Sequence, residues 1–198
     1  MQRIVCITGY KQSGKDYITN IMKENYGYKH LQIAHRLKEV LRIMFGFNEE
    51  QLHGTLKETV DPVWKITPRR AMEFVGTEIG QYDMQKVLPG IGRNFWIKSI
   101  INDISTKPLT SNHIISDVRF PHEVDELKKS FPNMYICVVR IKNPEISLNS
   151  KHSSELSIDK IKPNFIFINN QKIYSKTIES VHDLEIKILC EQAKSIRL

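Results

Sequence analysis

Residues Gly9-Tyr10-Lys11-Gln12-Ser13-Gly14-Lys15-Asp16 stand between an apolar run, Ile4-Val5-Cys6-Ile7, and a helical pattern that begins near Tyr17. Strand, glycine loop and helix in that order constrain this chain more than any other stretch. The spacing is that of the phosphate-binding P-loop, G-x-x-x-x-G-K-[ST], at every position but the last, where Asp16 replaces the hydroxyl. With glycine at only 9 of 198 positions, chance supplies G-x4-G-K roughly 0.04 times in a chain of this composition. Gly9 and Gly14 let the backbone turn its N–H groups inward around Lys11, Gln12 and Ser13, forming an anion nest. The helix that follows points the positive end of its dipole there, and Lys15 adds a full charge. A triphosphate is the natural occupant. A carboxylate beside phosphates is tolerable only where a metal ion or Lys15 offsets it, so Asp16 is expected to hold Mg²⁺, directly or through water.

Further short, branched apolar runs at 28–34, 113–117, 135–141 and 165–169 read as strands. Helical spacing alternates with them, in Leu37, Val40, Leu41 and Met44, in Trp96, Ile97, Ile100, Ile101 and Ile104, in Val124 and Leu127, and in Val181, Leu184 and Ile188. The expectation is an α/β protein, a parallel five-stranded sheet with helices on both faces and ligands at the carboxyl ends of its strands. At 198 residues one domain, 1–198, is expected. The weakly patterned stretches 46–66, 81–94 and 143–164 read as lids or binding loops.

No run approaches the ~18 apolar residues that span a bilayer, and Met1-Gln2-Arg3 leads straight into a strand, so a cytoplasmic protein without membrane association is expected. Three cysteines, Cys6, Cys137 and Cys190, lie in apolar patterns without metal spacing and read as buried reduced thiols. The net charge of +7 suits nucleic acid or a small polyanion. Because the basic residues are scattered, without a run of five and without interleaved aromatics, the small polyanion is the better reading.

Thr67-Pro68-Arg69-Arg70 starts a helix, with Thr67 as N-cap and Pro68 at the first position. Two arginines in that first turn face the positive dipole end at a cost of about 0.3–1 kcal/mol each. A bound anion would remove it and take a bidentate partner. Thr77, seven residues after Arg70, falls on the same face of an α-helix. Gly76 within that helix suggests a close approach by another group. At the end of the 113–117 run, Asp117 is placed as a second anchor for Mg²⁺, with Arg119 beside the same opening and Pro121 beginning a helix. Arg140 ends another strand and is a candidate nucleotide contact. His152 and Glu155 lie three apart, without a third ligand nearby to complete a zinc site.

Taken together, Gly14-Lys15-Asp16, Ala34-x2-Leu37-Lys38, Thr67-Pro68-Arg69 with Gly76-Thr77-Glu78-Ile79-Gly80, Asp117-Val118-Arg119-Phe120-Pro121 with Glu123, and His152-x-Ser154-Glu155 resemble the deoxynucleoside monophosphate kinases of tailed phages and related viruses. The resemblance covers residues from about 3 to 170. It implies an adenylate-kinase-like fold, ATP with Mg²⁺ as phosphoryl donor and a deoxynucleoside monophosphate as acceptor. Lys15, Asp16, Asp117 and Arg119 would then be catalytic, with Asp16 and Asp117 on the metal. Lys38, Arg69, Arg70, Thr77 and Arg119 would hold the acceptor. Where the family often has Phe-Ala-Asp-Pro-Leu-Lys, this chain has Ile33-Ala34-His35-Arg36-Leu37-Lys38, without the acid and the proline. Animal-type phosphomevalonate kinase looks similar around Ser13-Gly14-Lys15-Asp16, and a P-loop ATPase or switch module is a third reading. A homodimer is compatible with all three.

Overall fold

The computed structural model describes residues 2–106, 111–146, 153–170 and 174–196. Two compact units emerge, residues 1–31 with 101–198, and residues 32–100.

The first unit is a parallel sheet and its helices. Strands β1 (Arg3–Thr8), β2 (Lys29–Leu31), β3 (His113–Ile115), β4 (Tyr135–Lys142) and β5 (Phe165–Ile168) pair in the order β2-β3-β1-β4-β5, every pairing parallel. β1 is central and buried along its whole length. A strand covered on both faces needs consecutive apolar side chains rather than alternation, which Ile4-Val5-Cys6-Ile7 provides. Helix α1 (Lys15–Tyr26) buries Ile18, Ile21 and Met22, and the C-terminal helix, α8 (Tyr174–Ser195), buries Val181, Leu184 and Ile188, both at i, i+3/i+4 spacing. These side chains join Val5, Ile7, Ile114, Val139 and Phe167 in one core. Burying α8 also encloses a charge pair. Arg3 meets Glu185 at 2.6 Å and Gln192 at 3.0 Å, while the Tyr28 hydroxyl donates to Glu185 at 2.9 Å. Removing one partner would leave the other charge buried and uncompensated.

Cys6 and Cys137 are buried thiols as expected, but Cys190 is exposed. Its helix turns Ile188 inward, and a residue two positions on stands roughly 200° round the helix. The run at 28–34 is also shorter as a strand than expected. The chain leaves β2 after Leu31, and helix α2 (Ile33–Phe45) has already begun at Ile33. Ile33, Leu37 and Leu41 are four apart, so Ile33 extends the helical stripe rather than the strand. β3 ends at Ile115 rather than at Asp117, and Ser116 and Asp117 form a turn.

The second unit is helical. After α2 come α3 (Glu49–Leu52), a single 3₁₀ turn at Thr55–Glu58, α4 (Pro68–Glu73) and most of α5 (Phe95–Ser105). Thr67 caps α4 as the sequence suggests, its hydroxyl accepting the Arg70 N–H at 3.1 Å. The helix then widens into a π-helix, Phe74–Asp83. Both close approaches in it are made through glycine. A Cβ on Gly76 would stand 2.8 Å from Leu37, and one on Gly80 would stand 2.0 Å from the Trp96 indole nitrogen. That indole donates to the Gly76 carbonyl at 2.8 Å. Among the described residues no helix is long and apolar enough to cross a membrane.

Candidate active site

The loop between β1 and α1 has the backbone its sequence calls for. Gly9 (φ +149°), Gln12 (φ +67°) and Gly14 (φ +89°) all take positive φ, and Gly14 is the left-handed N-cap of α1. Gly9 and Gly14 also lack room for a side chain. A Cβ on Gly9 would meet the Ile141 carbonyl oxygen at 2.4 Å, and one on Gly14 the Asn169 amide nitrogen at 2.1 Å. Asn169, just past β5, donates that amide to the Ser13 carbonyl at 3.0 Å and so braces the loop from behind. The hydroxyls of Thr8 and Ser13 are buried at the loop without a hydrogen-bond partner among the described residues.

Lys15 is half-buried, its ammonium donating to the carbonyls of Gly9 at 2.8 Å and Tyr10 at 2.6 Å. Burial, and then the nearby Arg119 charge, lower its pKa to about 8, against the opposing pull of Asp16 and Asp117. Lysine, arginine and two carboxylates therefore share one field at the carboxyl ends of β1 and β3. His30 lies on the flank of the same field. It contacts the Ser116 hydroxyl at 2.7 Å, and its pKa is lowered by burial, with Asp117 and Asp16 acting in the opposite sense.

The turn after β3 is fixed by its neighbours. Val118 is buried and donates its N–H to Ile7 at 3.2 Å, tying the turn to the end of β1, while Asp117 and Arg119 on either side of it are half-buried. Glu123 then accepts the N–H groups of Arg119 and Phe120 through one oxygen. It is the third residue of α6 (Pro121–Ser130), where an acid commonly caps a helix start. The Arg119 guanidinium is paired with Glu155, which lies in α7 (Ser153–Leu156) and also accepts the Lys11 N–H at 3.1 Å.

Arg140, on β4, is engaged within the chain chiefly through one nitrogen of its fork. It donates to the carbonyls of Ile158 and Ile161 and lies 3.5 Å from Asp159, which in turn accepts the Tyr10 hydroxyl. Residues 155–161 are thereby fastened along the loop. Between them and the ends of β4 and β5 lies a cavity of about 370 Å³, lined by Gly9, Ser13, Arg140, Pro144, Ile146 and Ile168 among others. Lys151 and His152 lie outside the described residues.

In the helical unit, the charges that the sequence singles out on α4 already have carboxylate partners. Arg69 pairs with Glu58 at 3.1 Å and Arg70 with Glu78 at 2.8 Å, which offsets the dipole conflict within the protein. Lys38 contacts the His53 ring nitrogen at 3.2 Å. Arg70 thus meets the residue eight positions on rather than Thr77 at seven. A π-helix bonds i to i+5 and adds a residue per turn, so the α-helical face count does not hold there.

No local pattern in the sequence marks Asn169, Tyr10 or Asp159 for a role. Glu123 stands in the sequence as part of the motif that begins at Asp117, and Glu155 as part of a motif and as one half of an incomplete zinc pair. The acid two positions after Pro121, the third residue of α6, is a readable capping signal. The others are joined by separations of 149 and 156 residues and left no local signal.

A central strand that runs into a glycine phosphate loop, strand order 2-3-1-4-5, and an acid and arginine at the neighbouring strand's end define a P-loop phosphotransferase. The chain belongs to the deoxynucleotide monophosphate kinase family, whose sequence profile matches residues 47–179. It is 29% identical over 188 residues, 90% of this chain and 95% of the other, to a protein of Acanthamoeba polyphaga mimivirus provisionally described as a deoxynucleotide monophosphate kinase. Among solved structures it is similar to dephospho-CoA kinase from Campylobacter jejuni, at 15% identity and TM-score 0.46 over 94% of this chain and 97% of that one. A gluconokinase from Sinorhizobium meliloti is similar at 11% identity and TM-score 0.46 over 96% and 97%. Membership makes the protein a kinase, an ATP-dependent phosphotransferase acting on a nucleotide, and favours that reading over the phosphomevalonate-kinase and switch-module alternatives.

Proposed function

We propose that the protein transfers the γ-phosphoryl group of ATP to the phosphate of a deoxynucleoside monophosphate, giving the deoxynucleoside diphosphate and ADP. The observation that carries the proposal is the convergence of Lys15, Arg119, Asp16 and Asp117 at one phosphate loop. An acceptor phosphate oxygen forms the new bond to the γ-phosphorus while the bridging bond to ADP breaks. Both reactants are anions, so positioning and charge neutralisation supply most of the rate.

The loop from Gly9 to Asp16 cradles the ATP phosphates through its backbone N–H groups, and Lys15 neutralises the charge that develops on the oxygens in transit. Arg119 is assigned both to holding the acceptor phosphate and to neutralising the phosphoryl group in transit to it. Lys38, Arg69, Arg70 and Thr77 are the further candidates for the acceptor. Arg140 shapes the wall of the cavity on the ATP side. Asp16 and Asp117 would hold Mg²⁺. Among the described residues no group of three His, Cys, Asp or Glu side chains could hold a metal ion. Two carboxylates completed by phosphate and water oxygens are, however, the donor set that Mg²⁺ favours. The ion, when bound, shields the phosphate charge. Segments 46–66 and 143–164 are assigned to covering the acceptor and ATP respectively, the latter with its residues 155–161 as the fixed base fastened to the phosphate loop, so that water is excluded during transfer. The protein is further read as cytoplasmic, without direct binding of nucleic acid.

A coupled ADP-release assay tests the proposal, run with Mg²⁺ and ATP alone, with each deoxynucleoside monophosphate, and with phosphomevalonate. Acceptor-dependent ADP release with a deoxynucleotide is expected. Equal release without any acceptor would overturn the reading in favour of a simple ATPase.

A further inference from the structure

The motif His152-x-Ser154-Glu155 has no part in the chemistry above, yet Glu155 is only 8% exposed. A carboxylate removed from water is costly unless charge and hydrogen bonds replace its hydration. Here two donors do so, and they come from different parts of the site. One oxygen accepts the N–H of Lys11, the third residue of the phosphate loop, at 3.1 Å, and the other takes the Arg119 guanidinium. Arg119 in turn lies close enough to Lys15 to lower its pKa, so two cations converge where only one lies on the loop itself. Without a fixed carboxylate the arginine would be pushed outward by its neighbour and would lose its orientation.

We infer that Glu155 is a positioning residue, whose carboxylate joins the Lys11 N–H to the Arg119 guanidinium and so aims Arg119 at the phosphate that the site transfers. A guanidinium presents five N–H groups in one plane. Anchoring one Nη on Glu155 restrains the orientation of that plane. The platform that carries Glu155 is itself secured. Ile158 and Ile161 are 1% and 3% exposed, Arg140 holds both of their carbonyls, and Asp159 takes the Tyr10 hydroxyl. A positioning group works only if its own support is rigid, and this one is tied to the same loop from a second side.

The inference rests on the reading of the site as a kinase, with Arg119 on a substrate phosphate. A different role for the same contact is a carboxylate that occupies the anion's place and has to be displaced. The two differ in sign. A displaced carboxylate weakens ATP binding, so removing it tightens binding. A positioning carboxylate leaves ATP binding almost unchanged, and removing it slows transfer.

The test is a double-mutant cycle in the full chain, comparing wild type, Glu155→Ala, Arg119→Ala and the double variant, with Glu155→Gln as the isosteric control. Thermal midpoints are recorded for all five. With ATP and the preferred deoxynucleotide, Glu155→Ala and Glu155→Gln are expected to lower kcat about tenfold or more with the KM for ATP changed less than about threefold. The double variant should be no slower than Arg119→Ala alone. Additive losses would overturn the inference. So would wild-type kcat with tighter ATP binding in either Glu155 variant, or wild-type kcat in Glu155→Gln with unfolding in Glu155→Ala. The same cycle is read on the slow hydrolysis of ATP without acceptor. A wild-type chain that phosphorylates no deoxynucleotide, but whose hydrolysis rates still couple positions 119 and 155, fails the functional reading and keeps this one. Uncoupled rates in both assays overturn it.

Discussion

One oxygen of Glu123 accepts the backbone N–H groups of both Arg119 and Phe120, at 2.8 and 3.0 Å, from a side chain that is 4% exposed. Burial raises the pKa of this carboxyl to about 7, even though both hydrogen bonds pull it down. The folded protein therefore binds a proton here more readily than the unfolded chain does. Stability from this group is fully present below the unfolded value near 4.5 and is lost as pH rises toward 7. An upper bound is about 3 kcal/mol, at 1.36 kcal/mol per pKa unit. Thermal unfolding between pH 4.5 and 8 should show a fall that Glu123→Gln flattens. Identical pH profiles for the two proteins would remove Glu123 from the account.

Lys15→Ala should lower kcat about a thousandfold, the scale of losing one directed charge from a transition state. The fold should survive, because Lys15 is half-buried and its partners are two loop carbonyls. With its pKa lowered to about 8, the free enzyme should also lose kcat/KM for ATP as pH rises through that value. A steady-state pH profile shows whether that limb exists.

Gly9→Ala and Gly14→Ala should differ in severity. At Gly9 the added Cβ meets a backbone oxygen of β4, which cannot move without the sheet, while at Gly14 it meets the end of the Asn169 side chain. Both also strain a positive φ. Gly9→Ala is expected to be the more destabilising in chemical denaturation. The Gly14→Ala lesion should be partly relieved in the Gly14→Ala, Asn169→Ala double variant, and additive losses would show that Asn169 does not set the limit.

Arg69→Lys retains the charge and loses the fork that Glu58 now engages at 3.1 Å. If Arg69 serves the acceptor, its KM should rise on the order of tenfold while that for ATP stays within about threefold. Equal rises for both substrates would point to a general disturbance of the helical unit instead.

The parts legible in the sequence were those set by short-range pattern. The phosphate loop, the Thr67 cap, the start of α6 at Pro121 and the parallel arrangement of strands all follow from spacing within one or two turns of chain. Two strand ends were overestimated, because Ile33 and Asp117 satisfy the composition of a strand while their neighbours already belong to a helix and a turn. The outward face of Cys190 was readable from Ile188 by helical period. The contacts of Asn169, Asp159 and Glu155 were not readable. Each closes a loop of more than thirty residues, and pairings at that separation are decided by the packed sheet rather than by the local chain.

The π-helix Phe74–Asp83 makes the length of this segment as consequential as its composition. Because each turn holds an extra residue, Glu78 reaches Arg70 and Gly80 faces Trp96 only while the residue count between them is kept. Deleting a single residue here would either tighten one of its more than two widened turns or turn every later side chain round the axis by the arc of one residue. The stretch should therefore accept many substitutions and almost no deletions, and a sequence alignment that places a one-residue gap within it would pair residues that do not share a position in space.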